Sequence, residues 1–276
     1  MNAQKIKAIA LKDLKEVRQN KAAWLPALIV PLVFAIALPV FFISFPVFLP
    51  SGTLSNDDVQ EIRQLIELMP NQLADFFSGL NMEQTWVVYS TGYMLAPMFL
   101  IMPLMFSTIV GAESFVGEKE RKTLEALLYS AATDAELFLG KILAGVVPAV
   151  VLSWISYLVY AVVVNATSYS LMGRIWFPLD SWWPLMFWLT PAFSVLGISA
   201  TVMVSSRAKT FMEAYQISAS LVVLVLGLVA GQISGVLYLG VWTSLLIGAA
   251  IWLIDGILLV ISIGIFNRQK LIARIT

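Results

Sequence analysis

The chain of 276 residues contains no cysteine and no histidine. These absences remove several chemistries at once. No disulfide can form, no thiol can act as nucleophile, and neither a Cys/His zinc site nor a histidine general base is available. Charge is scarce as well: 12% of residues are Asp, Glu, Lys or Arg, against 59% hydrophobic. Five stretches carry no charge at all, at 22–56, 84–112, 142–173, 181–206 and 214–254. At a mean hydropathy of +0.86, a water-soluble domain of this length would expose too much apolar surface.

A helix needs about 20 mostly apolar residues to cross about 30 Å of hydrocarbon. The first four runs each supply one crossing. The fifth is long enough for two, folding back at Gly231-Gln232-Ile233-Ser234-Gly235, and it continues past one acid, Asp255, to Asn267. The sequence therefore predicts an all-α integral membrane protein with six transmembrane helices. Pro26, Pro31, Pro39 and Pro46 interrupt the first run, which is far longer than the core of a cleavable signal, so it reads as an uncleaved span. No tandem repeat or low-complexity linker divides the chain, and residues 1–276 read as one membrane domain.

Positive charge predicts the orientation. Fifteen of the 17 basic residues fall in four segments that an even number of spans places on one side. They are the N-terminal tail (Lys5 to Lys21), the second-to-third loop (Lys119, Arg121, Lys122, Lys141), the fourth-to-fifth loop (Arg207, Lys209) and the C-terminal tail (Arg268, Lys270, Arg274). Only Arg63 and Arg174 lie on the other side. By the positive-inside rule both termini are cytoplasmic, in a multi-pass protein of the cell membrane. The acids do not discriminate between the sides, so the net charge of zero says little.

Four segments carry further signals. Residues 3–20 form an amphipathic helix with Ile6, Ile9, Ala10, Leu14 and Val17 on one face, read either as an interfacial helix or as a topogenic charge cluster. In the external loop 49–85, Ser55 and Asp58 make a capping-box signal before Val59, Ile62, Leu65, Ile66 and Met69, and 71–80 can hold a second short helix. That loop either covers an exit path or packs on the bundle. The external segment 165–184 carries Trp176, Trp182 and Trp183, expected as interface anchors, with an aromatic substrate box as the rival reading. Asp255 is the one acid inside a span. It marks either a transport pathway or a hydrogen-bonded structural acid facing the bundle or a partner subunit.

Between spans two and three, in the cytoplasmic region 113–141, the chain reads Gly117-Glu118-Lys119-Glu120-Arg121-Lys122-Thr123-Leu124-Glu125-Ala126-Leu127-Leu128-Tyr129-Ser130, then Gly140-Lys141. The spacing predicts a short helix over 118–129 with Leu124, Leu127 and Leu128 as an apolar stripe. Such a stripe suits a groove on another protein, or else lies on the membrane surface. Thr133 and Glu136 form a capping box that starts the third span.

This pattern, directly after the second span of a six-span chain, resembles the signature of ABC-transporter permeases of the type-2 exporter family, which includes sodium-efflux and drug or bacteriocin export permeases. Ser205-Ser206-Arg207-Ala208-Lys209-Thr210, with Glu213, Ala214 and Gln216, is similar to the family at the start of the fifth span. The N-terminal amphipathic helix resembles its connecting helix. One departure is visible: Ser130-Ala131 stands where family members often carry proline.

The resemblance implies a permease subunit of an exporter, with a coupling helix that docks a separate ABC ATPase subunit. The implied contact residues are Glu118, Glu120, Arg121, Lys122, Thr123, Leu124, Glu125, Leu127 and Leu128. It also implies a second permease copy, identical or related. ATP and Mg would be bound by the partner subunit, because the only Gly-Lys pair, Gly140-Lys141, is followed by Ile142 and lacks the earlier glycine of a P-loop. The chain itself is then no enzyme, with no catalytic residue, no cofactor and no metal of its own. Its partners are the ATPase, the second permease and the bilayer, and not nucleic acid.

Three rivals remain. An ATP-independent transporter or channel would use Asp255; an intramembrane enzyme lacks a paired acid or base; a scaffold leaves the charged loop unexplained. The resemblance generates a test: Leu124→Glu or Leu127→Glu abolishes ATPase association while membrane insertion stays normal. Normal copurification of an ATPase with both variants refutes the assignment.

Overall fold

Asn2 starts the first helix by accepting a hydrogen bond from the Gln4 amide at 2.9 Å, and α1 then runs over Ala3–Gln19. The computed structural model describes residues 2–48, 64, 76–77, 79–123 and 132–265. Among these there are helices and turns and no strand. After α1 comes α2, a helical run made of Lys21–Leu32, a π-helical turn at Val33–Ala37 and Leu38–Phe48. Then follow α3 (Met82–Glu120), α4 (Asp134–Met172), α5 (Trp182–Ser205), α6 (Phe211–Ile233) and α7 (Val241–Ile265). Five helices, α3 to α7, are long and apolar enough to cross a membrane. The apolar part of α2, Ile29–Phe45, is shorter.

Two spans far exceed the bilayer. α3 and α4 have 39 residues each, which at 1.5 Å per residue is about 58 Å. Their ends therefore carry polar residues beyond the hydrocarbon. The expected capping box opens α4: Thr133 Oγ1 accepts from the Glu136 amide at 3.3 Å, and Glu136 Oε2 accepts from the Thr133 amide at 3.0 Å. Gly173, at φ 65°, closes it. The turn between α6 and α7 falls where the sequence places it, with Gly235 at φ 73°.

The helix extending to Met172 shortens the expected external segment 165–184. Two of its tryptophans are core residues, not interface anchors. Trp182 is fully buried, stacked on Tyr157 and Tyr160 and edge-on to Phe99 and Phe177. Its indole Nε1 donates to the Gly92 carbonyl at 2.7 Å. Trp176 is buried and donates to the Ser168 hydroxyl at 2.9 Å. An indole whose N–H finds a partner inside loses its reason to seek the headgroup layer. Only Trp183, 49% exposed, keeps an anchor's position. The expected helix at 55–69 lies outside the described residues, and of 71–80 only 76–77 are described as helical.

Small residues set the closest helix approaches. A side chain at Gly197 of α5 would meet the Leu104 carbonyl of α3 at 2.9 Å, and one at Gly111 of α3 would meet Thr201 at 3.0 Å. One at Gly140 of α4 would meet Ile9 of α1 at 2.8 Å. Gly227 of α6 faces nothing within 4 Å. Gly197→Val should therefore force α3 and α5 apart at an overpacking cost of about 1–3 kcal/mol, read as a lower thermal midpoint in detergent. Gly227→Val should leave that midpoint unchanged, and equal behaviour of the two variants would contradict this packing.

Candidate functional site

One face of α1 carries an acid where the amphipathic pattern calls for an apolar side chain. Asp13 stands one turn from both Ile9 and Val17, and all three are buried. Its partner comes from α4. Lys141, completely buried, donates to Asp13 Oδ2 at 3.3 Å, to Glu118 Oε2 at 2.7 Å and to the Ser114 carbonyl at 2.6 Å. An ammonium has three N–H donors, so Lys141 is saturated. The Phe115 ring lies 5.4 Å from Nζ.

The network continues outward. Lys12 of α1 pairs with the second oxygen of Glu118, and with Glu16 at 3.1 Å. The Ser114 hydroxyl donates to Asp13 Oδ2 at 2.7 Å. Glu113, also buried, accepts from Arg121 at 2.5 Å and from the Asn20 side-chain amide at 2.9 Å. Arg121 reaches back to Glu16 at 3.4 Å. A π-helical turn at Glu113–Gly117 precedes Glu118. Such turns shift side chains around the axis relative to an α-helix, and here Glu113, Ser114 and Glu118 all meet α1 or α4. Glu118 and Lys141 tie the end of α3 to α4, while Asp13 and Lys12 tie both to α1.

Electrostatics follow from burial against pairing. Burial alone would lower the pKa of the Lys12 ammonium. The hydrogen bond to Glu118 and the fields of Glu118 and Asp13 outweigh it and hold the group above its ordinary value. Arg121 behaves likewise: desolvation is overcome by Glu113 and Glu16. Asp13, Glu16 and Glu118 converge closely enough to ligate a cation. Lys12 and Lys141 already supply the counter-charge there, so the cluster fits an ion-pair network rather than a metal centre.

The end of α3 also reaches the loop before α6. Glu120 Oε2 accepts from the Phe211 amide at 2.8 Å, in the first turn of α6, and Lys119 donates to the Ala208 carbonyl at 3.4 Å. Consecutive residues at the end of α3 and just after it thus hold different elements. Glu118 holds α1 and α4, Lys119 and Glu120 hold the α5–α6 loop and α6, and Arg121 holds Glu113 and α1.

The residues expected to meet an ATPase divide three ways. Glu118 is buried with both oxygens on lysines. Glu120, Arg121, Lys122 and Thr123 are exposed. Leu124, Glu125, Leu127 and Leu128 lie outside the described residues. The helix expected over 118–129 is not continuous. Glu118 to Glu120 finish α3, and the chain turns at Arg121-Lys122, with Lys122 at φ 58° and the Thr123 amide returning to the Glu118 carbonyl at 2.9 Å. The ion cluster holds Glu118 inward, in the last turn of α3. Sequence reasoning missed Asp13, Glu113 and Lys141 as one unit. The available signal was an acid on the apolar stripe of α1.

The expected pathway acid, Asp255, lies apart from this cluster, buried in α7. The fold and its charged end define a class: an all-helical, multi-pass membrane protein with an organised polar hub at the helix ends. A family model described as "ABC-2 family transporter protein" matches residues 7–270. The chain therefore belongs to the ABC-2 transporter family and is a membrane permease. No curated protein and no solved structure matches it.

Removing one partner of a buried pair leaves an uncompensated charge, at a cost of about 3–5 kcal/mol. Lys141→Ala should destabilise the fold to that extent in thermal melts. Asp13→Ala with Lys141→Ala should cost less than the sum of the single changes. Strict additivity would show that the two residues are not coupled.

Proposed function

We propose that this permease is the membrane subunit of an ATP-driven exporter, moved by a separate ATPase that docks on the segment 117–130. In this reading α2 is the sixth crossing and both termini are cytoplasmic, so α1 and the charged end of the bundle face the ATPase. Two permease chains, identical or related, enclose the path. ATP and Mg belong to the ATPase.

The observation that carries the reading is the wiring of the end of α3. A docked subunit pushing on residues 119–130 loads α1 and α4 through Glu118, and α6 through Glu120. These contacts are charged and buried or capped. Charge-assisted hydrogen bonds are about twice as strong as neutral ones, so the hub moves as a unit while the apolar helix faces beyond it are free to slide. The exposed Glu120, Arg121 and Lys122 are placed to set register and partner choice. Glu118 holds the hub together from inside and does not touch the partner.

A mild-detergent pull-down of the tagged chain from its native host, with mass spectrometry, tests the proposal. A stoichiometric P-loop ATPase is the expected result, and a second permease in the same eluate distinguishes a heterodimer from a homodimer. Recovery of the chain without any ATPase would overturn the ATP-driven reading and leave an ATP-independent transporter in its place.

A further inference from the structure

From Val222 onward α6 packs on α3, while α7 packs along α5. The two helices leave between them an apolar cleft of about 570 Å³, floored by Phe193, Leu196, Ala200 and Val204 of α5. Every residue lining it is apolar. Leu224 on the α6 wall and Ile254 on the α7 wall are 52% and 48% exposed, so the cleft opens sideways, away from the bundle.

Length and depth select the occupant. Phe193 to Val204 on α5 and Ile247 to Leu258 on α7 each cover about 16 Å, at about 1.5 Å per residue. One leaflet offers about 15 Å of hydrocarbon, half of a core about 30 Å thick. On α5 the lining ends at Val204, one residue before the helix does, so the cleft lies in the half of that span nearest the charged end of the bundle. A groove of one leaflet's depth that opens toward hydrocarbon fits an extended acyl chain.

The end of the cleft adds charge. The Arg207 amide donates to the Val204 carbonyl at 2.9 Å, so the chain turns directly past the lining and carries Arg207 and then Lys209 to that end. Both residues are exposed. Lys119, reaching the Ala208 carbonyl at 3.4 Å, brings a third positive charge to the same loop. The two acids beside it are turned to backbone amides: Glu213 accepts from Lys209 and Glu120 from Phe211, both at 2.8 Å. Basic side chains at the ends of membrane helices recognise anionic headgroups. We infer that the cleft between α5, α6 and α7 seats an acyl chain of an anionic phospholipid whose headgroup lies against Arg207 and Lys209. Assigning that lipid to the cytoplasmic leaflet rests on the orientation proposed above; the site itself does not.

The test equilibrates the full chain, with whatever subunits accompany it, in equal amounts of phosphatidylglycerol and phosphatidylcholine of the same acyl chains. The protein is then washed in mild detergent and its retained lipid counted by mass spectrometry. The parent should retain phosphatidylglycerol over phosphatidylcholine by about thirtyfold, the preference expected from two basic side chains at a membrane surface. Arg207→Gln with Lys209→Gln should reduce that ratio to near equality. Ala200→Phe, which fills the cleft, should abolish retention of either lipid. Its elution as a single symmetric peak shows that it is folded, and if it is not, the exposed Arg207/Lys209 double variant decides. Glycerol 3-phosphate, a headgroup without chains, should not displace the lipid. Equal retention of the two lipids by the parent would mean annular lipid only and overturn the inference. So would an unchanged ratio in the double variant, displacement by glycerol 3-phosphate, or a permease dimer that retains no lipid because the second chain covers the cleft. Copurification of an ATPase is scored separately, so failure of this site and failure of the two-subunit reading are distinguishable.

Discussion

The Lys141 ammonium is the point on which the charged end of this protein depends. It sits where α1, α3 and α4 converge, and each of its three hydrogens meets an oxygen. Removing an ion from water costs several kcal/mol even after relaxation, so the group is tolerable only because Asp13, Glu118 and the Ser114 carbonyl surround it. The requirement runs both ways. Asp13 and Glu118 are themselves buried and need Lys141 and Lys12. Three elements far apart in sequence are thus held in one register by a geometry that a slip of one residue in any of them would break.

From that junction outward the bundle is graded. The most apolar window of α3 is 72% buried within the chain, while those of α6 and α7 are only 17% buried. α3 is the central helix, gripped by α5 through close approaches at Gly111 and Gly197. α6 and α7 present most of their apolar side chains outward, to lipid or to another chain. The polar contact joining the end of α3 to the start of α6 runs between Glu120 and the Phe211 amide. A loosely packed helix tied at one end to a tightly packed one suits a protein whose task is to change shape: helices held by small apolar contacts move readily, and capped charges do not.

Much of this was legible in the sequence. The charge-free runs locate α3 to α7, and the capping box Thr133/Glu136 and the turn near Gly235 stand where they were expected. The amphipathic face of α1 is buried at Ile9 and Val17. Other features were misread, each for a physical reason. Periodicity suggested a helix over 118–129, but periodicity does not know that Glu118 has two lysines waiting inside the bundle. Trp176 and Trp182 looked like interface anchors, because their internal acceptors, Ser168 and the Gly92 carbonyl, come from parts of the chain that only folding brings near.

The sequence by itself determined the solvent of this protein and its class. Hydrophobic run length and the sorting of lysine and arginine are one-dimensional properties, and a bilayer reads them directly. The tertiary structure alone decided which charges are structural. Whether an Asp, Glu or Lys faces water or another charge depends on what lies across from it. For Asp13, Glu118 and Lys141 the answer lies on three different helices, and for the buried Asp255 no described residue supplies a hydrogen bond.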